Sequence, residues 1–273
     1  MLLADFHTHS TLDDGKSTLE EMAAAAHTLG LTHFGFSGHS YCPMEEDFCI
    51  PKHRVEEYLS SARALQRQYA GELEIFVGME LDYFGERPDK LDYAIGSVHG
   101  LLLEGQFCPV DESPETSCRI VNEIFGGDWY RLTDAYYDLV ADLPDKTGCD
   151  WIGHFDLVTK FNQQLRAFDE ESPRYLRRAL EVMEYLAGKA VAFEINTGAI
   201  SRGYRTAPYP ASTLLRHLRA FGGEIILNSD AHHASHLCYG FDRGIELARA
   251  AGFDHTLVWT KDGLQAVELT DQA

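Results

Sequence analysis

The chain opens on residues suited to metal chemistry: Asp5-Phe6-His7-Thr8-His9, in a sequence holding 13 histidines among 273 residues. Leu2, Leu3 and Ala4 lead in as an apolar strand, and side chains on a strand alternate faces. His7 and His9 therefore point to one side, with Asp5 one step behind on the same side. Two converging neutral imidazoles can grip a divalent cation such as zinc or iron. Alone, a His-x-His pair in a histidine-rich chain is as compatible with chance, because a short motif needs structural context.

The context is where the other donors fall. Strands expected at 33–37, 73–81, 93–98, 150–155, 190–195 and 224–228 end at or near His39, Glu80, His99, His154, Glu194, and Asp230 with His232. Active sites of α/β barrels and open parallel sheets sit at these carboxyl ends. Any one such residue reads as a hydrogen-bonded core histidine or a solvated acid. A set recurring at the same end of successive strands reads as a metal cage. The candidate donors are His7, His9, Asp14, His39, Glu80, His99, His154, Asp230 and His232. A metal with open positions takes about three protein ligands, so this set suits two or three ions. Glu80 is the natural bridge, since its two oxygens can serve two cations.

Strands must alternate with helices to hold such ends together. A helix is expected over 18–29, with Ser17 or Thr18 as cap, Glu20 and Glu21 in its first turn and Gly30 as stop. Another spans 53–69, with Val55, Tyr58, Leu59, Ala62 and Leu65 on one face. Further helices are expected at 134–143, 173–186, 211–221 and 241–251. Alternating apolar strands and helices predict an α/β fold, either a parallel barrel or a doubly wound sheet. Long loops at 41–51, 101–129 and 197–210 are candidates to carry function. With no repeat or linker in the sequence, a single domain over 1–273 is the simplest account.

The charge of −20, from 23 basic against 43 acidic residues, disfavours a nucleic-acid binder, whose affinity rests on Lys and Arg against phosphates. A small cationic or zwitterionic substrate suits it better. The six cysteines show no CxxC pair or disulfide-framework spacing and read as reduced thiols. Neither a signal-peptide pattern nor an apolar run of the ~20 residues needed to span a bilayer is found. A cytoplasmic protein without membrane attachment is expected; oligomeric state is left open.

Taken in order, Asp-x-His-x-His, Asp14-Gly15, Gly38-His39, Gly-Met-Glu ending at Glu80, Ser-Val-His at His99, Gly-His-Phe-Asp at His154 and Ser-Asp-Ala-His at 229–232 resemble the polymerase and histidinol phosphatase family, related to the amidohydrolases. The stretch Glu194-Ile195-Asn196-Thr197-Gly198 with Arg202, Arg205 and Pro208-Tyr209-Pro210 is similar to its histidinol-phosphatase branch. The resemblance implies a distorted (β/α)7 barrel with the metal site at the carboxyl ends of the strands, and a trinuclear centre of Mn, Fe, Zn or Mg. It implies one ion on His7, His9, Glu80 and Asp230, a second sharing Glu80 with His99 and His154, and a third on Asp14, His39 and His232. Asp13 is an alternative to Asp14, and Asp5 is expected to orient a ligating histidine.

The implied reaction is hydrolysis of a small phosphate monoester, L-histidinol phosphate to L-histidinol and phosphate in histidine biosynthesis, by attack of a metal-bridging hydroxide. Asp230 and His232 are candidates to manage the proton, Asp230 as general acid. Arg202, Arg205 and Lys160 are candidate phosphate ligands. Glu194 and Asp156 could meet the ammonium or imidazole of the substrate, and Tyr41 and Phe48 could cover it. His27, His33, His53, His217, His233, His236 and His255 are read as ordinary helix, strand and loop residues. The alternatives are a relative acting on nucleotides or phosphotyrosine, and a non-catalytic metal-binding module, which the complete donor set disfavours. With neither a Gly-x-x-x-x-Gly-Lys loop nor a Gly-x-Ser-x-Gly elbow, serine catalysis is not supported.

Overall fold

Residues 3–269 are described by a computed structural model; Leu2, expected to lead into the first strand, lies outside them. In chain order the elements are β1 (Ala4–Asp5), α1 (Leu19–Thr28), β2 (His33–Phe36), α2 (Val55–Gln68), β3 (Glu74–Val77), β4 (Met79–Asp82), β5 (Ala94–Ser97), β6 (Gly100–Leu103), β7 (Gln106–Pro109), α3 (Pro114–Ile124), α4 (Trp129–Thr147), β8 (Trp151–Ile152), α5 (Asn162–Leu165), α6 (Pro173–Gly188), β9 (Ala192–Asn196), α7 (Gly198–Ser201), α8 (Ser212–Ala220), β10 (Ile225–Asn228), α9 (Phe241–Ala250), β11 (His255–Thr260) and β12 (Gly263–Glu268). One sheet runs β1-β2-β3 and a second runs β12-β11-β10-β9-β8-β5-β4. Every ladder in both is parallel except the closing β11–β12 hairpin. The fold is therefore α/β with mostly parallel sheets.

Local chemistry explains the element starts. Of the two candidate caps, Thr18 begins α1: Glu21 N donates to Thr18 Oγ1 and Thr18 N donates back to Glu21 Oε2, a reciprocal pair that satisfies two orphan amides. Leu19, Met22, Ala23 and Ala26 then form its buried stripe. The helix expected at 134–143 extends over Trp129–Thr147, because Asp128 accepts from the amides of Tyr130 and Arg131 and Gly148 ends it with φ 66°.

Two expectations are corrected. Residues 73–81 do not make one strand: the run breaks at Gly78 into β3, paired with β2, and β4, paired with β5. A Cβ on Gly78 would lie 2.4 Å from the Tyr93 ring. The Tyr93 hydroxyl donates to the carbonyls of Phe6 and Phe36, so this phenol occupies the space at the break. The loop expected at 101–129 contains the β6–β7 hairpin and α3, which starts at a Ser113 cap followed by Pro114. Its Glu104-Gly105 turn has positive φ at both residues, the backbone of a two-residue hairpin carried by Glu-Gly rather than by the Asn-Gly or Asp-Gly that marks one in a sequence.

Beyond the ladders, two isolated parallel bridges pair Thr8 with Ala231 and His39 with Glu80. Around the first, His9 N donates to Ala231 O and Ala231 N to His7 O. Asp5 serves this junction: its carboxylate accepts from Ser229 N, Ser229 Oγ and Cys238 N. It makes no hydrogen bond to a histidine among the described residues, contrary to expectation. Beneath lies an apolar layer including Phe6, Phe76, Tyr93, Ile95, Trp151, Ile226 and Val258, with Tyr93 stacked on Trp151 at 4.9 Å. Among the described residues no helix is long and apolar enough to cross a membrane.

Candidate active site

The strand ends converge on Glu80, which is 1% exposed. Its Oε2 faces His7 Nε2 at 3.1 Å, His39 Nδ1 at 3.1 Å and His9 Nε2 at 3.5 Å. Its Oε1 faces His154 Nε2 at 2.8 Å and His99 Nε2 at 3.3 Å, and accepts from Ser97 Oγ. Asp230 Oδ1 approaches His9 Nε2 at 3.3 Å and His7 Nε2 at 3.8 Å. Asp14 lies 3.1 Å from His232 Nε2 and 3.9 Å from His39 Nε2. All nine sequence-predicted donors thus meet in one region, where overlapping groups of three or four have donor atoms within 4.8 Å of one another.

A second layer of carboxylates sets the imidazoles. Glu194 Oε1 accepts from His7 Nδ1 at 2.7 Å, while its Oε2 accepts from His154 N and Asn196 Nδ2. Asp13 Oδ2 accepts from His9 Nδ1 at 2.7 Å and from His39 N. Asp82 Oδ2 accepts from His99 N and lies 3.3 Å from His99 Nδ1. Such partners leave the other ring nitrogen's lone pair facing inward. Asp13 is consumed in this way, which leaves Asp14 as the carboxylate facing the cluster. Glu194, expected among the groups for the substrate's cation, is likewise spent on His7 and His154. Asp82 was overlooked, although Met79-Glu80-Leu81-Asp82 alternation puts it on the face of Glu80.

The lone-pair geometry tests whether these residues fit a metal. With Nδ1 of His7 and His9 bonded to carboxylates, their buried Nε2 atoms point at carboxylate oxygens and make no hydrogen bond. Lone pair facing lone pair in a buried site is costly, and positive charge between them, such as a bound metal supplies, relieves it. The charge balance says the same. Burial would push His7 down, yet Glu194, Glu80 and Asp230 carry it well above the usual imidazole range. Burial likewise opposes charge on His9, but Asp13 and Asp230 bring it up to about 10. Glu80 is held well below the carboxylate range against its burial by His7, His39, His99 and His154. Asp230 is held low in the same way, against its burial, by Arg202 and the neighbouring imidazoles. The imidazole and carboxylate donors fit divalent ions.

Asp230 is set by strained backbone, at φ 50°, a conformation found mostly where structure over-determines it. A Cβ on Gly198 would come within 2.7 Å of Asp230 Oδ2, so only glycine leaves room for that carboxylate.

Above this floor opens a cavity of ≈ 580 Å³, lined at its base by His39, Glu80, His99, His154, Asp230 and His232. Arg202 and Lys160 line it. Arg202 donates to Asp230 and to His232 Nδ1, and Lys160 pairs with Asp111 at 3.2 Å. Arg205 does not line it: its guanidinium donates to Thr159 and lies 3.6 Å from Glu170. Asp156 is also away from the cavity, accepting from Ala211 N. Phe48 lines the cavity and Tyr41 does not; the Tyr41 hydroxyl donates to Glu46. Glu45, Asp111 and Glu112 on its walls were not singled out from the sequence.

A mostly parallel α/β fold with a multi-histidine, multi-carboxylate floor defines a class of metal-dependent hydrolase-like sites. The PHP domain profile matches residues 5–198, and the chain belongs to the PHP domain family. It is 30% identical to the Deinococcus radiodurans protein named "Probable histidinol-phosphatase", over 92% of this chain and 94% of that one. It is 23% identical to the Bacillus subtilis histidinol-phosphatase, over 89% and 98%. Among solved structures it is similar in fold to the Lactococcus lactis histidinol phosphate phosphatase, complexed with zinc, L-histidinol and phosphate. That match has a TM-score of 0.71 and 22% identity over 96% of this chain and 98% of that one.

Proposed function

We propose that this protein is a metal-dependent phosphatase that hydrolyses a small phosphate monoester, L-histidinol phosphate, to L-histidinol and phosphate. The observation that carries the reading is the floor itself: imidazole lone pairs and carboxylate oxygens, fixed from behind, face one another at the base of a cavity large enough for a small ester. Family membership and the names of the relatives supply the substrate.

The floor would hold two or three divalent ions drawn from Mn, Fe, Zn or Mg. His7, His9, Glu80 and Asp230 would take one, Glu80 with His99 and His154 a second, and Asp14, His39 and His232 a third. Bound there, such ions neutralise phosphoryl oxygens and make hydroxide available near neutral pH. The chain's own part is positional. Glu194, Asp13 and Asp82 keep the donor nitrogens aimed inward. Arg202 holds Asp230 and His232 and presents its guanidinium to the phosphate, with Lys160 as a second positive charge. Asp230, kept anionic by Arg202 and the imidazoles, acts as a ligand rather than an acid. Arg202 on Nδ1 and Asp14 beside Nε2 fix the His232 ring, so its part is that of a positioned donor.

Seven strand positions in the ring β1, β2, β3 with β4, β5, β8, β9 and β10, joined across the Thr8–Ala231 and His39–Glu80 bridges, support a distorted (β/α)7 barrel within one domain. Six unpaired thiols suit a reducing cytoplasm. Steady-state kinetics of metal-loaded protein against L-histidinol phosphate, nucleoside monophosphates and phosphotyrosine test the reading. The expected result is the highest kcat/KM for L-histidinol phosphate. Nucleotides winning by orders of magnitude would overturn the substrate, and no hydrolysis of any of them would overturn the activity.

A further inference from the structure

The cavity admits an anion in the reading above, yet its wall is acidic. The loop after His39 presents Glu45, whose side chain has no hydrogen bond or ion pair among the described residues. Across from it Asp111 is already neutralised by Lys160, whose ammonium also lies 4.9 Å from the centre of the Tyr204 ring. The wall's lysine is therefore engaged while Glu45 is not. With Glu45, Asp111 and Glu112 on the wall and Lys160 already on Asp111, this side of the cavity favours an incoming cation.

A second, independent feature marks the same place. Met44, Phe48 and Tyr204 line the cavity and are 41%, 52% and 43% exposed. Exposed apolar groups gathered at a cavity mouth mark a binding surface. Aromatic faces beside a carboxylate attract an organic cation, through the ring quadrupole and the opposite charge together.

We propose that Glu45 is a specificity residue that receives the positively charged end of the substrate, with Phe48 beside it in the same turn, so that the site selects phosphate monoesters of cationic amino alcohols. A monoester of a neutral alcohol brings the phosphate charge to the acidic wall with nothing to offset it. A cationic alcohol brings its own counter-charge. The inference rests on the phosphatase reading and adds the device by which the wall chooses the leaving group.

The test is Glu45→Gln, which removes the charge and keeps the shape, assayed on metal-loaded protein with L-histidinol phosphate, phosphoethanolamine and p-nitrophenyl phosphate. Losing a charge-assisted contact should raise KM for the cationic esters about tenfold, with kcat unchanged within about twofold. The constants for p-nitrophenyl phosphate should stay within about twofold and metal content per chain should not move. Glu45→Asp should recover part of the KM. Equal changes for cationic and neutral esters, no KM change, or loss of metal would each overturn the proposal. Two outcomes separate it from the substrate reading. If phosphoethanolamine is turned over with the KM split and L-histidinol phosphate is not, the role of Glu45 stands and the named substrate falls. If L-histidinol phosphate is a good substrate whose KM ignores Glu45→Gln, the substrate stands and the role of Glu45 falls.

Discussion

The floor and the wall of the cavity are built on opposite plans. On the floor His7, His9, Glu80, His99, His154 and Asp230 are all 7% exposed or less. They stand at strand ends; His7, His9 and His99 each have a carboxylate behind the ring, and His154 is held through its amide by Glu194. On the wall Glu45, Phe48 and Tyr204 stand on loops, partly open to solvent, and the Glu45 side chain has no hydrogen-bond or ion-pair partner among the described residues. The difference separates two tasks. Chemistry needs groups held to a fraction of an ångström, which rigid elements and a supporting layer provide. Choice among leaving groups tolerates looser positioning and sits on loops that can vary without disturbing the floor.

The sharpest break of this contrast comes from the floor. His99→Ala should abolish turnover and lower the metal bound per chain, measured by elemental analysis, whereas His53→Ala should change neither. One layer back, Glu194→Ala should leave the fold in place but weaken metal binding or kcat by about 10–100-fold, the usual effect of losing an orienting partner. A smaller loss, comparable with the wall effects, would mean that the floor is not held from behind. Arg202→Ala comes third. Inorganic phosphate should inhibit the variant about 10-fold more weakly, as expected for one lost charge-assisted bond.

The smallest effect belongs to neither region. His255 on β11 contacts Asp254 and Glu224, each at 2.6 Å, and the Asp254 hydrogen bond leads in raising its pKa above the usual imidazole value against partial burial. A histidine raised on folding stabilises fully below its unfolded pKa, and that contribution is lost as pH rises through the folded value. His255→Gln should therefore lower Tm near about pH 6 and match the wild type near about pH 9, with kcat unaltered.

The mostly parallel α/β plan and membership of the family were both readable before any coordinates, because apolar runs, caps and a string of ordered motifs are local signals. Where the reading slipped, the cause was non-local or turn-specific. Nothing in 73–81 announces that a phenol fifteen residues beyond Gly78 fills the space where the strand breaks. The Glu104-Gly105 hairpin was hidden inside a stretch read as loop. Among site residues, donor type was visible but rank was not. Asp13 and Asp14 are neighbours of the same kind, and only the approach of His9 and the His39 amide shows that Asp13 is spent. Glu194 looked as available to a substrate as to a histidine until its oxygens were found on His7 Nδ1 and His154 N. Arg205 shares a segment with Arg202, yet its guanidinium turns to Thr159.

By itself the sequence determined which residue types stand at the ends of which strands, since alternation and capping act over a few residues. Tertiary structure alone decided which carboxylate faces a metal donor, which one braces it and which, like Glu45, is left without a cation. Those distinctions depend on distances between atoms far apart in the chain, and a buried charge takes its meaning from the groups that surround it.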